Sequence, residues 1–328
     1  MQFGGNRLLS LLKRFLFRRI PAIPQRILLF RTGSFGDGIC ALPAIAAIRK
    51  HFPGASIELL TDTGHAGRTL VSLDQLIEPG VFQKVINYHG RPKRNLLAEL
   101  RQNQYDLVIQ LPQYSAPWHR LLRDMLVFRF GCGIRAGFGW QWDARPVFRR
   151  AQEACRLEPD ERKRLLAILK KNGISGGQET DFPLNLTMQD CRFVENQLQP
   201  VLANGKPLIA LVPGGKRPQN RWPADSFRTV CGHFKGKYNI ALLGGPDDRE
   251  LAGKIQQGLE NVFSLCGLLS PLQNAWVLKK SRLVLSNDTG LMHLAYAVET
   301  PLVALFSARD LPGRWYPQSY WNDDGIRQ

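Results

Sequence analysis

Residues 26–52 read RILLFRTGSFGDGICALPAIAAIRKHF, and this stretch decides the class of fold. RILLF is a short, β-rich apolar run, and the glycines of RTGSFGDG end it. ALPAIAAIRKHF then repeats apolar residues at helical spacing, so the stretch reads strand, loop, helix. ASIELLT (55–61), KVINY (84–88) and DLVIQLP (106–112) read as further strands, with a helix around NLLAELRQ (95–102). Short strands alternating with helices predict a parallel sheet covered on both faces.

Further along, ERKRLLAILKKNG (161–173) and DCRFVENQLQPVLANG (190–205) are helical, separated by the polar stretch SGGQETDFPLNLT. The alternation then restarts with the strands LIALV, NIALL, NVFSLC, RLVLS and PLVALF, separated by helices over ADSFRTVCGHF, DDRELAGKIQQGL, LQNAWVLKK and GLMHLAYAV. A chain of 328 residues exceeds what one core usually supports, so two doubly wound domains are expected, with the break near residues 183–206. The division adopted is a basic amphipathic N-terminal segment 1–22, an N-terminal domain 23–190 and a C-terminal domain 191–328. No repeat or low-complexity tract interrupts it.

Composition is that of a soluble globular protein, with 44% hydrophobic and 22% charged residues and a mean hydropathy of −0.21. The net charge of +17 calls for anionic partners without choosing among nucleic acid, lipid and phosphorylated substrate. The six cysteines, Cys40, Cys132, Cys155, Cys191, Cys231 and Cys266, form no C-x-x-C pair and read as packing residues in a reducing compartment. The first twenty residues carry five cations, which rules out a bilayer span and a secretory signal. At helical spacing Arg7, Arg14 and Arg18 share one face, with Leu8, Leu12 and Phe15 towards the other. That is the pattern of an interfacial helix, of a helix packed on its own domain, or of a disordered basic leader. Between Pro117 and Arg150 the periodicity weakens, and Arg120, Arg123, Arg129, Arg135, Arg145, Arg149 and Arg150 are interleaved with Trp118, Trp140 and Trp142. This is a surface for anions or a solvated basic face with packing tryptophans.

In open parallel sheets ligands bind at the carboxyl ends of strands, where helix N-termini offer free N–H groups. Three glycine turns sit at such ends: Gly33–Gly38, Gly214–Gly215 and Gly244–Gly245. The first lacks the dinucleotide spacing, and its Asp37 serves as helix cap or as general base. In SNDTGLMHLA, Asn287 or Asp288 is the expected cap, which turns the Thr289 and Gly290 amides towards a phosphate. His293 follows one turn later, as a ligand contact or as a satisfied core histidine.

The order RTGSFGDGICALPAIAAIRKHFP, VPGGKRPQNRWPADSF, LLGGPDDRE, LSNDTGLMHLAYAVETPLVALF resembles the ADP-heptose:lipopolysaccharide heptosyltransferases, glycosyltransferase family nine, over roughly residues 25–318. The resemblance implies an α/β fold of GT-B type, two Rossmann-like doubly wound parallel-sheet domains facing a cleft, and an inverting, metal-independent glycosyltransferase. It implies acceptor binding by the first domain and nucleotide-sugar binding by the second. Asp37 then corresponds to the catalytic base. The donor contacts it implies are Gly214, Gly215, Lys216, Asn220, Arg221, Asp288, Thr289, Gly290 and His293, with Glu250 near the ribose or base. Ser34, Arg120 and Arg123 are the expected acceptor contacts.

No cofactor is implied; ADP-heptose is the expected donor substrate. The expected partners are a phosphorylated lipid-linked glycan and an anionic membrane surface, with no nucleic acid. The implied location is the inner face of the bacterial cytoplasmic membrane. The sequence departs from the family at Asn220, where a lysine commonly precedes the R-W-P element, and it ends at Gln328, where the family commonly continues. A D-x-D pair for a metal-dependent transferase is absent from the sequence. Asp62 stands where a ribose-binding acid of an oxidoreductase would, but behind the wrong glycine spacing. The remaining alternative is a non-catalytic, membrane-associated scaffold that keeps the fold.

Overall fold

The structure, a computed structural model, describes residues 2–65, 68–69, 71–114, 116–141, 160–307 and 313–317. Trp142, Arg145, Arg149, Arg150 and Cys155 lie outside these residues. The chain divides into two compact units, Met1–Pro183 and Leu184–Gln328.

The first unit is built on a five-stranded sheet of β1 (Arg26–Phe30), β2 (Ser56–Thr61), β5 (Lys84–Asn87), β6 (Leu107–Gln110) and β7 (Gly137–Phe138). A short hairpin, β3 (Gly64–His65) with β4 (Arg68–Thr69), stands apart from it. The sheet order is β5-β2-β1-β6-β7 and every pairing is parallel, so the chain moves outward in one direction, returns to the centre and continues in the other. Alternate residues of β1 face opposite sides. Leu28 and Phe30 enter a cluster with Leu60, Val108, Leu121 and Met125, while Ile27 and Leu29 are buried on the other face. There α2 (Phe35–His51) packs against α5 (Glu161–Lys170).

Helix α1 (Gln2–Leu16) belongs to this unit and is not a segment apart. Leu9 and Phe17 are buried in the sheet cluster, Phe17 stacks on Trp140 with ring centroids 4.6 Å apart, and Arg129 Nε donates to the Leu16 carbonyl at 2.7 Å. Lys13 Nζ donates to Asn172 Oδ1 at 2.6 Å, and burial pushes its pKa down. The wheel read from sequence is therefore rotated in the structure: Leu12 packs inward, and the exposed ridge is Leu8, Leu11 and Phe15.

The weakly periodic stretch after Pro117 is α4 (Trp118–Leu126), running into a π turn at Val127–Gly131. Leu121, Met125 and Phe128 fill its buried stripe, and the i to i+5 bond from Cys132 N to Val127 O breaks the 3.6-residue period that would have announced it. Trp140 is a core residue and Trp118 is exposed, so these two tryptophans do not form one surface.

The second unit repeats the topology. Its strands are β8 (Leu208–Val212), β9 (Asn239–Leu242), β10 (Val262–Ser264), β11 (Leu283–Asn287) and β12 (Leu302–Leu305), in the all-parallel order β10-β9-β8-β11-β12. Its crossover helices are α7 (Ala224–His233), α8 (Arg249–Gln256), α9 (Pro271–Lys280) and α10 (Gly290–Ala297). A boundary at 190/191 would cut α6 (Met188–Leu202), which packs whole on α9: Trp276 Nε1 donates to the Thr187 carbonyl at 3.1 Å, and Lys280 pairs with Glu195 at 2.8 Å.

Burial pushes the Cys132, Cys231 and Cys266 thiols up to about 11 each. We expect peptides carrying them to stay unlabelled by iodoacetamide near pH ~8 in the native protein and to be labelled in denaturant, as read by mass spectrometry.

Candidate active site

In the first unit the site begins where β1 runs out. Gly33 has φ 151°, and a Cβ there would lie 2.6 Å from Asp37 Cβ, so only glycine fits. Ser34 is the N-cap of α2: its Oγ accepts from Asp37 N at 3.5 Å, while its own N–H and hydroxyl each donate to Asp37 Oδ2 at 2.7 Å. This capping box starts the helix at Phe35, six residues before the apolar periodicity announced it, and places Gly36 and Gly38 inside the helix.

Asp37 is thus a cap whose carboxylate is engaged on one oxygen. Its side chain is 18% exposed, and only Oδ2 is engaged by Ser34. Oδ1 has Arg31 Nη2 at 3.9 Å as its nearest described partner. A carboxylate held by one oxygen and open at the other can accept a proton without losing its orientation.

Beside this turn, Phe30, Thr32, Gln110, Pro112, Ala116 and Arg120 line a small open pocket between the carboxyl ends of β1 and β6. Arg120 Nη2 donates to Thr32 Oγ1 at 3.3 Å, which brings it to the Asp37 loop. Arg123 is placed differently: it is held on Asp124 at 2.6 and 3.1 Å, a bond that raises its pKa, and Asp124 also accepts from Gln110 Nε2 at 3.0 Å.

In the second unit the corresponding place lies between the ends of β8 and β11. The fully buried Asn287 ties the two together: its Nδ2 donates to the carbonyls of Pro213 and Gly214 at 2.8 and 3.3 Å, and its Oδ1 accepts from Trp222 N at 3.2 Å. Neither Asn287 nor Asp288 caps α10. Thr289 does, accepting from Met292 N at 3.3 Å, because Asn287 faces inward and Asp288 is turned to Asn220, 3.3 Å away. Like the first amides of any helix, those of Gly290 and Leu291 lack intrahelical acceptors and are presented outward.

Asn220 is held between Asp288 and Ser307, whose Oγ donates to it at 3.0 Å, and so acts as a neutral bracket where the sequence resemblance leads to the expectation of a lysine. Arg221 Nε donates to the Gly215 carbonyl at 2.8 Å, and Lys216 is exposed on the same loop. His293 meets Trp315 edge to face, with centroids 6.0 Å apart. Glu250 stands apart: it is 82% exposed and bonded to Lys254 on its own helix, which lowers its pKa.

The acid at this loop cluster is Asp248, which sequence reading missed. It accepts from Gly245 N at 3.0 Å, lies 3.9 Å from Arg221, and sits where a Cβ on Gly214 would approach its carboxylate to 2.5 Å. The doubled glycines at the ends of β8 and β9 are the signal that a side chain must fit between those turns. Among the described residues no group of three or more His, Cys, Asp or Glu could hold a metal ion, and no helix is long and apolar enough to cross a membrane.

The sequence matches the family model of glycosyltransferase family 9 (heptosyltransferase) over residues 93–322. The chain belongs to glycosyltransferase family 9. It is 27% identical over 299 residues to lipopolysaccharide heptosyltransferase 1 of Pseudomonas aeruginosa, covering 86% of this chain and 78% of the relative. To the Escherichia coli K12 enzyme of the same name it is 25% identical over 308 residues, covering 88% and 89%.

Among solved structures it superposes on a family 9 glycosyltransferase from Veillonella parvula with a TM-score of 0.67 (19% identity; 92% of this chain, 85% of the other). It superposes on E. coli ADP-heptose lps heptosyltransferase II with 0.62 (22%; 89%, 88%) and on E. coli heptosyltransferase WaaC with ADP with 0.56 (19%; 87%, 88%). The two Rossmann-like units are thus those of the GT-B α/β fold, and the protein is a glycosyltransferase.

In this transferase, Asn287→Ala leaves the Pro213 and Gly214 carbonyls without their buried donor. We expect a loss of about 1–3 kcal/mol in stability by denaturant unfolding. The Asp37 turn in the first unit should keep its wild-type hydrogen-exchange protection, while the Gly214–Arg221 loop loses its own.

Proposed function

We propose that this glycosyltransferase transfers heptose from ADP-heptose, by single displacement with inversion and without a metal, to a phosphorylated, lipid-linked glycan of the lipopolysaccharide core. One observation carries the reading: the two units offer opposite chemistry at equivalent places. The first presents a largely buried carboxylate with one oxygen open, and the second presents helix amides with Lys216 and Arg221 on the neighbouring loop. The names of the relatives, lipopolysaccharide heptosyltransferases, and the ADP held by one of them support the same assignment.

In this mechanism Asp37 Oδ1 takes the proton of the acceptor hydroxyl as its oxygen forms a bond to the anomeric carbon. The bond from that carbon to the diphosphate breaks, and the electron pair leaves with ADP. The negative charge gathering on the diphosphate is met by the Gly290 and Leu291 amides, the α10 dipole and the cations of the β8–α7 loop. Thr289, Asp288 and Asn220 hold that helix start in place, and His293 lines the sugar-phosphate region. Arg120 contacts the anionic acceptor beside Ser34, and Glu250 makes no donor contact in this reading.

A lipid-linked acceptor places the enzyme at an anionic bilayer on the cytoplasmic side, and α1 supplies the contact. Leu8, Leu11 and Phe15 are 43, 53 and 86% exposed, Arg14 on the helix and Arg18 and Arg19 just after it are exposed, and no acidic residue precedes Asp37. We expect full-length protein to float with vesicles containing phosphatidylglycerol at low salt. Replacing Arg14, Arg18 and Arg19 by serine should weaken partition about fivefold per arginine, at about 1 kcal/mol each. Equal flotation of wild type and triple variant would remove α1 from the proposal.

The transferase reading is tested by calorimetric titration with ADP, GDP and UDP and by turnover with ADP-heptose. ADP is expected to bind selectively and more weakly to Asp288→Ala, and Asp37→Asn is expected to lower kcat by about 10²–10⁴ without loss of ADP binding. Failure of all three nucleotides to bind would favour the non-catalytic scaffold.

A further inference from the structure

We propose that Arg31, locked by Glu161 and Arg164, is a positioning residue that holds the Asp37 turn in register with the β6 loop. The proposal deepens the reading of Asp37 as the base and rests on it.

Arg31 is the first residue after β1 and is 1% exposed. Its guanidinium spans four oxygens from three parts of the first unit. Nη1 donates to the carbonyls of Leu111 and Pro112, both at 3.1 Å, and Nη2 donates to the Asp37 carbonyl at 2.9 Å and to Glu161 Oε1 at 3.3 Å. Nη2 also lies 3.9 Å from Asp37 Oδ1, the carboxylate oxygen that Ser34 leaves open. One planar group thus touches the backbone and the charge of the proposed base and, through Pro112, the wall of the neighbouring pocket.

Glu161 is what keeps that group in place. Its side chain is 0% exposed, and Arg164 grips both oxygens, Nε to Oε2 at 2.6 Å and Nη2 to Oε1 at 2.8 Å. Arg164 Nη2 also donates to the Pro112 carbonyl, the same oxygen that Arg31 uses. The cluster is balanced, with Arg31 and Arg164 against Asp37 and Glu161. Stability alone gives little reason for it, because apolar residues of similar volume commonly stabilise as well as a buried ion pair does. A fixed fork that reaches four acceptors at once is a geometric device, and a lysine ammonium on a flexible stem cannot reproduce it.

The test is a double-mutant cycle on transfer kinetics with the full-length enzyme: wild type, Arg31→Lys, Asp37→Asn and the double variant, with Glu161→Gln run in parallel in both backgrounds. Glu161→Gln keeps the side chain's shape and replaces one of the two acceptor oxygens with an NH2 that cannot accept from either arginine, so it carries the cycle if Arg31→Lys does not fold. Arg31→Lys and Glu161→Gln are each expected to lower kcat about ten- to a hundredfold, the scale of a misplaced reacting group, with KM for the donor unchanged. In the Asp37→Asn background the same changes should cost no more than about twofold, because the group they position is gone. An equal loss in both backgrounds would make the cluster structural only and overturn the proposal. A wild-type rate for Asp37→Asn would overturn the base assignment itself, and the positioning role with it.

Discussion

An all-parallel sheet cannot turn back on itself with a hairpin; each strand must be followed by a crossover that returns to the same edge. In both units the strands run in the order third, second, first, fourth, fifth, so the first and fourth are neighbours whose following loops depart towards opposite faces. The crevice this opens is the reason that β1 with β6, and β8 with β11, end beside Asp37, Arg120, Asn220 and Asp288. Full burial of the strands, with LIALV and NIAL covered at every position, leaves those loops as the places where polar chemistry can be held.

The same scaffold carries two different sites because the helix starts are capped differently. Helix α2 closes its N-terminus with its own carboxylate, Asp37, whose Oδ2 takes both donors of Ser34. That helix start is already neutralised by an anion and has little to offer another. Helix α10 is capped by the uncharged hydroxyl of Thr289, so its positive end stays available. The division of labour proposed for the two units follows from this single difference in cap chemistry.

Buried polar side chains do the remaining work of alignment. Asn287 in the second unit and Arg31 in the first occupy equivalent roles: each is buried at the end of a strand flanking the crevice, and each donates to carbonyls of the loop across it. An amide suffices where the object held is a glycine turn. A guanidinium is needed where three chain segments must be reached, and it then requires Glu161 and Arg164 to make its burial tolerable.

Strand identity was legible in the sequence because β-rich apolar runs bounded by glycine turns need no distant partner to be recognised; RILLF, LIALV and RLVLS were each read to within a residue or two. So were the turns that carry Asp37 and Thr289. Less legible was α2's true start at Phe35, since a capping box overrides weak periodicity, and α4, whose π turn breaks the 3.6-residue repeat. Glu250 was expected near the ribose or base; it lies two residues past Asp248, exposed and bonded to Lys254, while Asp248 occupies the space between the turns.

The sequence by itself thus determined two parallel-sheet units, their glycine turns and the acid beside the first of them, all encoded in short-range spacing. Only the tertiary structure decided which face of α1 is exposed, which side chains brace the crevices, and that Arg31 meets Glu161 across 130 positions of chain. Those depend on which surfaces a fold brings together, and contacts between residues so far apart leave no period in the sequence to read.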